Sequence, residues 1–251
     1  MNAGASTSND YPAAERLRDR AGRRVRAARI VAVLEDFSGV PLDTATLLDV
    51  GVSHGLIAVV LAERVKWTLG VDVDATALAV ARAEAPARGR LDLALGSGMR
   101  LPFKDECMDL VVCNHVYEHV PDANALMREI ARVLRPGGAC YFAGGHRLQV
   151  VEPHYRLPFL SWLPRPWADG YLRATGRGRA YRERFVAPWT LPALFTAFAS
   201  QRDVTGDVLR RCHRYGLGPR WLQSALAVLL PLSLARLVGF ALPTHVWMLR
   251  K

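Results

Sequence analysis

Three side chains at helical spacing just past an apolar run could do chemistry: His115, Glu118 and His119. Histidine is the side chain whose unperturbed pKa lies near neutrality, so a positioned imidazole can take a proton from a hydroxyl. Glu118 stands between the two histidines. His119 and His115 are therefore the candidate catalytic bases, with Glu118 beside them. A structural role for Glu118 and His119 is the competing reading. His146, His154 and Tyr155, in a later stretch rich in Pro, Arg and aromatics, are further candidates that would face a substrate.

A second group of residues points to a ligand. The apolar run Leu47-Leu48 ends in Asp49, and Gly51 and Gly55 bracket a tight turn before the apolar pattern resumes at Leu56. Glycine lets the chain bend sharply and a ligand approach without a Cβ in the way. An acid at Asp49 would repel the anion that a helix N-terminus attracts, so the turn suits a cation or an ammonium group rather than a phosphate. Asp72 follows 23 positions later, at the end of the next apolar run. An acid at that distance from a Gly-rich turn can accept hydrogen bonds from both hydroxyls of a ribose. Together the two acids imply a ribose and a cationic group, without a pyrophosphate.

The elements that must position these residues alternate regularly. Strands are expected at Thr46–Val50, Trp67–Val73, Leu91–Leu95, Met108–Asn114 and Ala139–Ala143, with helices from Leu56 to about Val65, over Ala75–Glu84 and over Asp122–Leu134. Arg135–Gly138 reads as a turn. Such β-α alternation predicts an α/β fold, a Rossmann-like doubly wound, mostly parallel seven-stranded sheet with helices on both faces. A helix is expected over Thr190–Ala199, a strand over Arg202–Val208 and a closing strand over Thr244–Leu249. Four segments follow: an N-terminal helical lid (1–40), a ligand-binding core (41–145), an inserted cap (146–190) and a C-terminal part of the core (191–251). Residues 1–10 are small and polar; they read as disordered and have no signal-peptide character.

The chain has 251 residues, of which 51% are hydrophobic and 22% charged, enough to bury a sizeable core. Its net charge of +10 is unevenly placed. Residues 1–144 carry 17 Lys and Arg against 18 Asp and Glu, and residues 145–251 carry 16 against 5. The second part suits an anionic ligand or surface, or is simply an Arg-rich solvated face. The almost wholly apolar segment 221–242 is interrupted by Pro231 and Arg236. It reads as a buried helical hairpin or, slightly favoured, as an interfacial helix that brings 210–242 to a membrane surface with Arg210, Arg211, Arg214 and Arg220. Cys107, Cys113, Cys140 and Cys212 lack metal spacing and read as small core residues in a reducing, cytoplasmic setting.

The motifs Leu48-Asp49-Val50-Gly51-Val52-Ser53-His54-Gly55, Gly70-Val71-Asp72, Leu101-Pro102-Phe103, Met108-Asp109-Leu110-Val111-Val112, Glu118-His119-Val120-Pro121-Asp122 and Glu129–Gly138 occur in this order. Over about 45–145 the chain thereby resembles the class I S-adenosylmethionine-dependent methyltransferases. The resemblance implies S-adenosyl-L-methionine as cofactor, with its methionine end at Asp49, Gly51, Ser53 and Gly55 and its ribose at Asp72. It adds Val73, Ser97, Gly98 and Met99 to the cofactor-lining set, with Asn114 and His115 at the sulfonium and substrate entrance. Two positions depart from the family: Ser53 replaces a glycine, and Ser97 stands where an Asp often holds the adenine amine. His115-x-x-Glu118-His119 also resembles the Glu-x-x-Glu-His metal motif of ubiquinone-type O-methyltransferases. With His115 in the first place, magnesium is disfavoured; no metal is expected.

The expected reaction is methyl transfer to an oxygen of a small molecule or of a saccharide, lipid-linked or not, with an anionic or membrane-borne acceptor suiting the basic half. Nucleic acid is disfavoured, because no basic-aromatic module appears and Asn114-His115-Val116-Tyr117 lacks the prolines of base-amine methylases. Other classes remain. A protein that keeps the sheet and binds without catalysis is one. Another is an α/β-hydrolase with Ser53 as nucleophile in Gly51-Val52-Ser53-His54-Gly55, although only one strand precedes that turn. A nicotinamide dehydrogenase lacks both its Gly-rich fingerprint and a Tyr-x-x-x-Lys.

Overall fold

A computed structural model of the chain describes residues 20–85, 90–217, 231 and 242–251. Nine strands and six α-helices are seen among them: α1 (Arg20–Phe37), β1 (Thr46–Val50), α2 (Leu56–Ala62), β2 (Trp67–Asp72), α3 (Ala75–Glu84), β3 (Leu91–Leu95), β4 (Met108–Asn114), α4 (Ala123–Val133), β5 (Leu134–Gly145), β6 (Val151–Glu152), β7 (Leu157–Pro158), α5 (Arg165–Ala174), β8 (Ser200–Asp203), α6 (Thr205–Arg210) and β9 (Thr244–Arg250). Residues 1–10 and almost all of the apolar segment 221–242 lie outside the described residues.

Seven strands form one sheet in the order β3-β2-β1-β4-β5-β9-β8. The first five are parallel, and β9 runs antiparallel to both β5 and β8. Strand order reverses between β1 and β4, so ligands are expected outside the carboxyl ends of those two strands. Asp49 and Asn114 lie at those ends.

The strands are buried on both faces, and their alternation sorts the core. Leu47, Leu110, Val112, Ala139, Tyr141 and Val246 face α1 and α2; Leu48, Val50, Val111, Cys113, Cys140 and Phe142 face α4 and the stretch around Phe195. This is period-2 packing of a parallel sheet covered by helices. Asp74 caps α3 by accepting from the Thr76 and Ala77 N–H groups, and Asp122 caps α4 through Ala125 N–H. Arg132 then ties α4 to the segment before β4. Its guanidinium bonds Glu129, Asp105 and the Leu101 and Phe103 carbonyls.

Several sequence expectations are corrected. The described part of the expected lid is a core helix: Ala27, Ile30, Val31, Val33 and Leu34 of α1 are buried against the sheet. Short Ala and Val side chains made its apolar stripe look thin in the sequence. The helix expected over Thr190–Ala199 is a 3-10 stretch, Pro188–Phe195, with Pro192 inside it removing an α-helical hydrogen bond. The strand expected over Arg202–Val208 ends at Asp203, whose carboxylate accepts from Thr205 N–H and starts α6. Arg135–Gly138 belongs to an irregular beginning of β5, where pairing with β4 shifts register between Met108 and Leu110.

The cap has its own small core of Tyr155, Leu157, Leu160, Ala168, Leu172 and Tyr181. Arg214, one of the cations expected at a membrane, makes a bidentate pair with Asp36 at 2.6 Å and a longer contact with Glu35. Among the described residues, no helix is long and apolar enough to cross a membrane. Cys113, Cys140 and Cys212 are buried, and Cys107 is partly exposed.

Candidate functional site

The turn after β1 is built by backbone geometry. Gly51 and Gly55 take φ of +75° and +74°, and Ser53 sits at φ +50°. A Cβ at Gly51 would fall 2.6 Å from a methyl of Val116, and one at Gly55 would fall 2.8 Å from the Ala81 Cβ. Ser53 thus takes the left-handed backbone of a glycine, with its Oγ 3.0 Å from His54 Nδ1.

Asp72, at the end of β2, holds this turn. Its Oδ2 accepts from Ser53 N–H at 2.7 Å and its Oδ1 from Asp74 N–H at 2.9 Å. A carboxylate offers about four acceptor positions, so roughly two remain for hydroxyls of a ligand. Val73 beside it is 65% exposed. Asp49 is buried in β1 below the turn. Burial, and then the charge of Asp72, push its carboxyl up to about 7.

The loop after β3 closes the same space. Ser97 Oγ accepts from Met99 N–H at 3.2 Å, and the Ser97 carbonyl accepts from Arg100 N–H. Gly98 is packed so closely that a Cβ there would meet Leu126 at 2.8 Å and Val50 at 3.0 Å. Ser97, Gly98 and Met99 therefore lie against the end of β1, on the same side as the Gly-rich turn.

Beyond β4 the chain turns sharply at His115, which has φ +57° and donates its N–H to the Ala143 carbonyl at 2.7 Å. His115 Nδ1 lies 3.1 Å from Glu118 Oε1, and against an acceptor-only carboxylate that nitrogen carries the proton. Glu118 is fully buried. Burial pushes its carboxyl up, but the His115 hydrogen bond and the charges of His115 and His119 outweigh this and hold it below the usual range. His119 touches solvent on one side and the protein on the others; lost hydration holds its pKa below the usual value despite nearby Glu118.

The cap delivers His154 to the same place. Its ring stands edge-on to His119, with centroids 4.8 Å apart. His154 Nδ1 lies 2.6 Å from Oε1 of fully buried Glu152, whose Oε2 accepts from Tyr155 N–H at 2.8 Å. Burial pulls the His154 pKa down, but Glu152, with Glu183 and Glu118, raises it above the usual value. The donors of Glu118, His119 and His154 together could hold a metal ion.

The structure thus brings His115, Glu118, His119 and His154 together. His146 does not join them. It is buried against His245, its Nδ1 accepts from Leu148 N–H, and its Nε2 faces the Leu242 carbonyl at 2.7 Å. Tyr155 is packed in the cap's core with Tyr181. Buried Glu152 and Glu183 are the residues that sequence reasoning missed. The Glu152-Pro153-His154 spacing was the available signal, but nothing in it told a paired carboxylate from a surface one.

Residues 48–142 match the family model of a methyltransferase domain. Residues 48–142 therefore form a methyltransferase domain, and its relatives and fold support the class I S-adenosylmethionine-dependent type. The methyltransferase core is 30% identical over 161 residues to a ubiquinone biosynthesis O-methyltransferase of Idiomarina loihiensis, covering 61% of this chain and 60% of that one. It is 38% identical over 96 residues to the methyltransferase GfsG of Streptomyces halstedii, covering 37% and 34%. The chain thus spans about three fifths or less of the length of these relatives. Its fold is shared with an S-adenosylmethionine-dependent methyltransferase from Mesorhizobium loti, with a TM-score of 0.58, 18% identity, and 90% and 100% of the two chains covered. Ser53 stands in the turn with a left-handed backbone, the conformation that glycine adopts most readily.

Proposed function

We propose that this chain transfers a methyl group from S-adenosyl-L-methionine to an oxygen of a small molecule or saccharide. The pairing of His115 with buried Glu118, just beyond β4 and beside the acid-lined turn, carries the reading. Bound at that turn, the cofactor supplies an electrophilic methyl group on a sulfonium.

The residues present fit it. Asp49, Gly51, Ser53 and Gly55 would receive its amino-acid end, and the carboxylate of Asp49 answers an ammonium. Asp72 has acceptor capacity for the ribose hydroxyls, and Val73, Ser97, Gly98 and Met99 line the space for the adenine. Asn114 and His115 stand at the entrance to the reacting centre.

For the acceptor, Glu118 keeps the proton of His115 on Nδ1, which leaves Nε2 as the basic nitrogen. Nε2 would take the proton of an acceptor hydroxyl, whose oxygen would receive the methyl group that the cofactor would supply from its sulfonium, leaving the sulfur as a neutral thioether. A base of this kind contributes about 100- to 10,000-fold, and alignment most of the rest. A relative named for ubiquinone O-methylation supports oxygen as the acceptor atom. The excess of Lys and Arg after residue 145 supports an anionic or membrane-borne acceptor, reached through the cap and 210–242.

The test is calorimetry with S-adenosylmethionine, then methyl-labelled cofactor offered to hydroxyl acceptors. Cofactor binding with label on oxygen is the expected result; a folded protein without cofactor affinity would overturn the reading.

A further inference from the structure

Glu118 has one oxygen placed and one unplaced. Oε1 is bonded to His115, whereas Oε2 is buried and has no hydrogen-bond partner among the described residues. A buried carboxylate oxygen without a donor is costly, and such an atom calls for a partner. Two imidazoles approach the Glu118 carboxylate. One ligand atom from each of Glu118, His119 and His154 lies within 4.8 Å of the others.

We infer that Glu118, His119 and His154 form a binding site for one divalent transition-metal ion, with the cap's His154 completing a set that the core begins. Two imidazoles and one carboxylate suit Zn²⁺, Fe²⁺ or Co²⁺, whereas Mg²⁺ asks for oxygen ligands. Bond lengths of about 2.0–2.2 Å require the three atoms to draw together by roughly an ångström, within reach of side-chain torsions.

Three further observations agree. Glu152 holds Nδ1 of His154 at 2.6 Å, as carboxylates behind metal-bound imidazoles do. Glu118, Glu152 and Glu183 are three buried carboxylates around the histidines, and a dication offsets their charge. His119 keeps a solvent-facing side, so a fourth position stays open for an oxygen. Read from His115-x-x-Glu118-His119 alone, the sequence argued against an ion; His154 supplies what that motif lacks. His115 is not among the residues whose donor atoms come together, and its Nδ1 is bonded to Glu118 Oε1.

The site rests on geometry. Its use rests on the methyl-transfer reading: an ion there would polarise the acceptor hydroxyl whose proton passes to His115.

The test uses the untagged full chain, titrated with Zn²⁺ and with Co²⁺ as a spectroscopic probe. One equivalent of either, with visible Co²⁺ absorption, is the expected result. Glu152→Gln should weaken binding by about 10- to 100-fold, and His154→Ala should weaken it more. Circular dichroism checks that each variant folds, and Glu152→Gln keeps the test alive if His154→Ala does not. A folded wild-type protein that takes up neither ion, or unchanged affinity in both variants, overturns the site. Cofactor binding without metal uptake sinks the ion and leaves methyl transfer standing; metal uptake without cofactor binding does the reverse.

Discussion

The Ser53 N–H donates to Oδ2 of Asp72 at 2.7 Å, so the turn after β1 and the end of β2 are one unit. A residue implied as a ribose partner is also the residue that fixes the turn. Asp72→Ala removes both functions. The expected outcome is loss of measurable cofactor binding by calorimetry, with far-UV circular dichroism intact. Asp72→Asn keeps the shape, loses the charge, and should bind at least about tenfold more weakly, in line with the larger worth of hydrogen bonds to charged groups. Wild-type affinity in Asp72→Ala would remove Asp72 from the site.

Asp49 predicts a pH dependence. Its carboxyl is raised from 3.8 to about 7 in the folded chain. Between those values the folded chain keeps a proton that the unfolded chain has lost. The stability that Asp49 contributes is therefore full below about 4, falls as pH rises through that window and is gone above about 7. An ammonium ligand needs the carboxylate form, so cofactor affinity should rise from pH 6 to pH 8, and binding near about 7 should release protons. Calorimetry in buffers of different ionisation enthalpy measures that release. Asp49→Asn should abolish it; undiminished proton release in this variant would sink the assignment.

Gly51→Ala places a Cβ 2.6 Å from Val116 at φ +75°. The left-handed backbone alone costs an alanine about 1–2 kcal/mol. A drop of several degrees in Tm is expected, together with loss of cofactor affinity. Adding Val116→Ala relieves the overlap but not the backbone strain, so the double variant should recover only part of the stability.

His115→Ala should lower kcat by about 100- to 10,000-fold. Glu118→Gln should lower kcat too, because the amide can offer either a donor or an acceptor to Nδ1 and no longer fixes the tautomer. A kcat unaffected by His115→Ala would assign the proton transfer elsewhere.

Arg132 predicts an effect from outside the site. It joins Glu129 and Asp105 to the Leu101 and Phe103 carbonyls, and Glu129 accepts from Leu101 N–H at 2.8 Å. Arg132→Ala should cost about 2 kcal/mol by denaturant unfolding and loosen the segment after Ser97–Met99. Cofactor affinity should fall, with the pH dependence set by Asp49 preserved.

The parallel core was legible because buried strands and amphipathic helices write their periods into the chain. β1, α3, β3 and β4 run over the expected residues, and α4 differs by one residue at each end. Errors came where local pattern competes with distant packing. Pro192 turned an apolar stretch into a 3-10 run, and Asp203 ended a strand whose β-branched continuation suggested more. The Gly-rich turn was legible for the same reason: its residues are close in sequence, and glycines at fixed offsets report backbone shape directly.

What the sequence determined by itself is therefore the fold of the core, the Gly-rich turn with its two acids, and the His115–Glu118–His119 group, all set by local spacing. The tertiary structure decided which histidine joins them. His154 and Glu152 come from the cap, 35 and 34 positions beyond His119 and Glu118, and only packing of the cap on the core brings the rings to 4.8 Å. His146 looked equivalent in sequence and is spent on the Leu242 carbonyl instead. Side-chain chemistry is written in the chain, but which groups share one buried space depends on contacts between segments far apart along it.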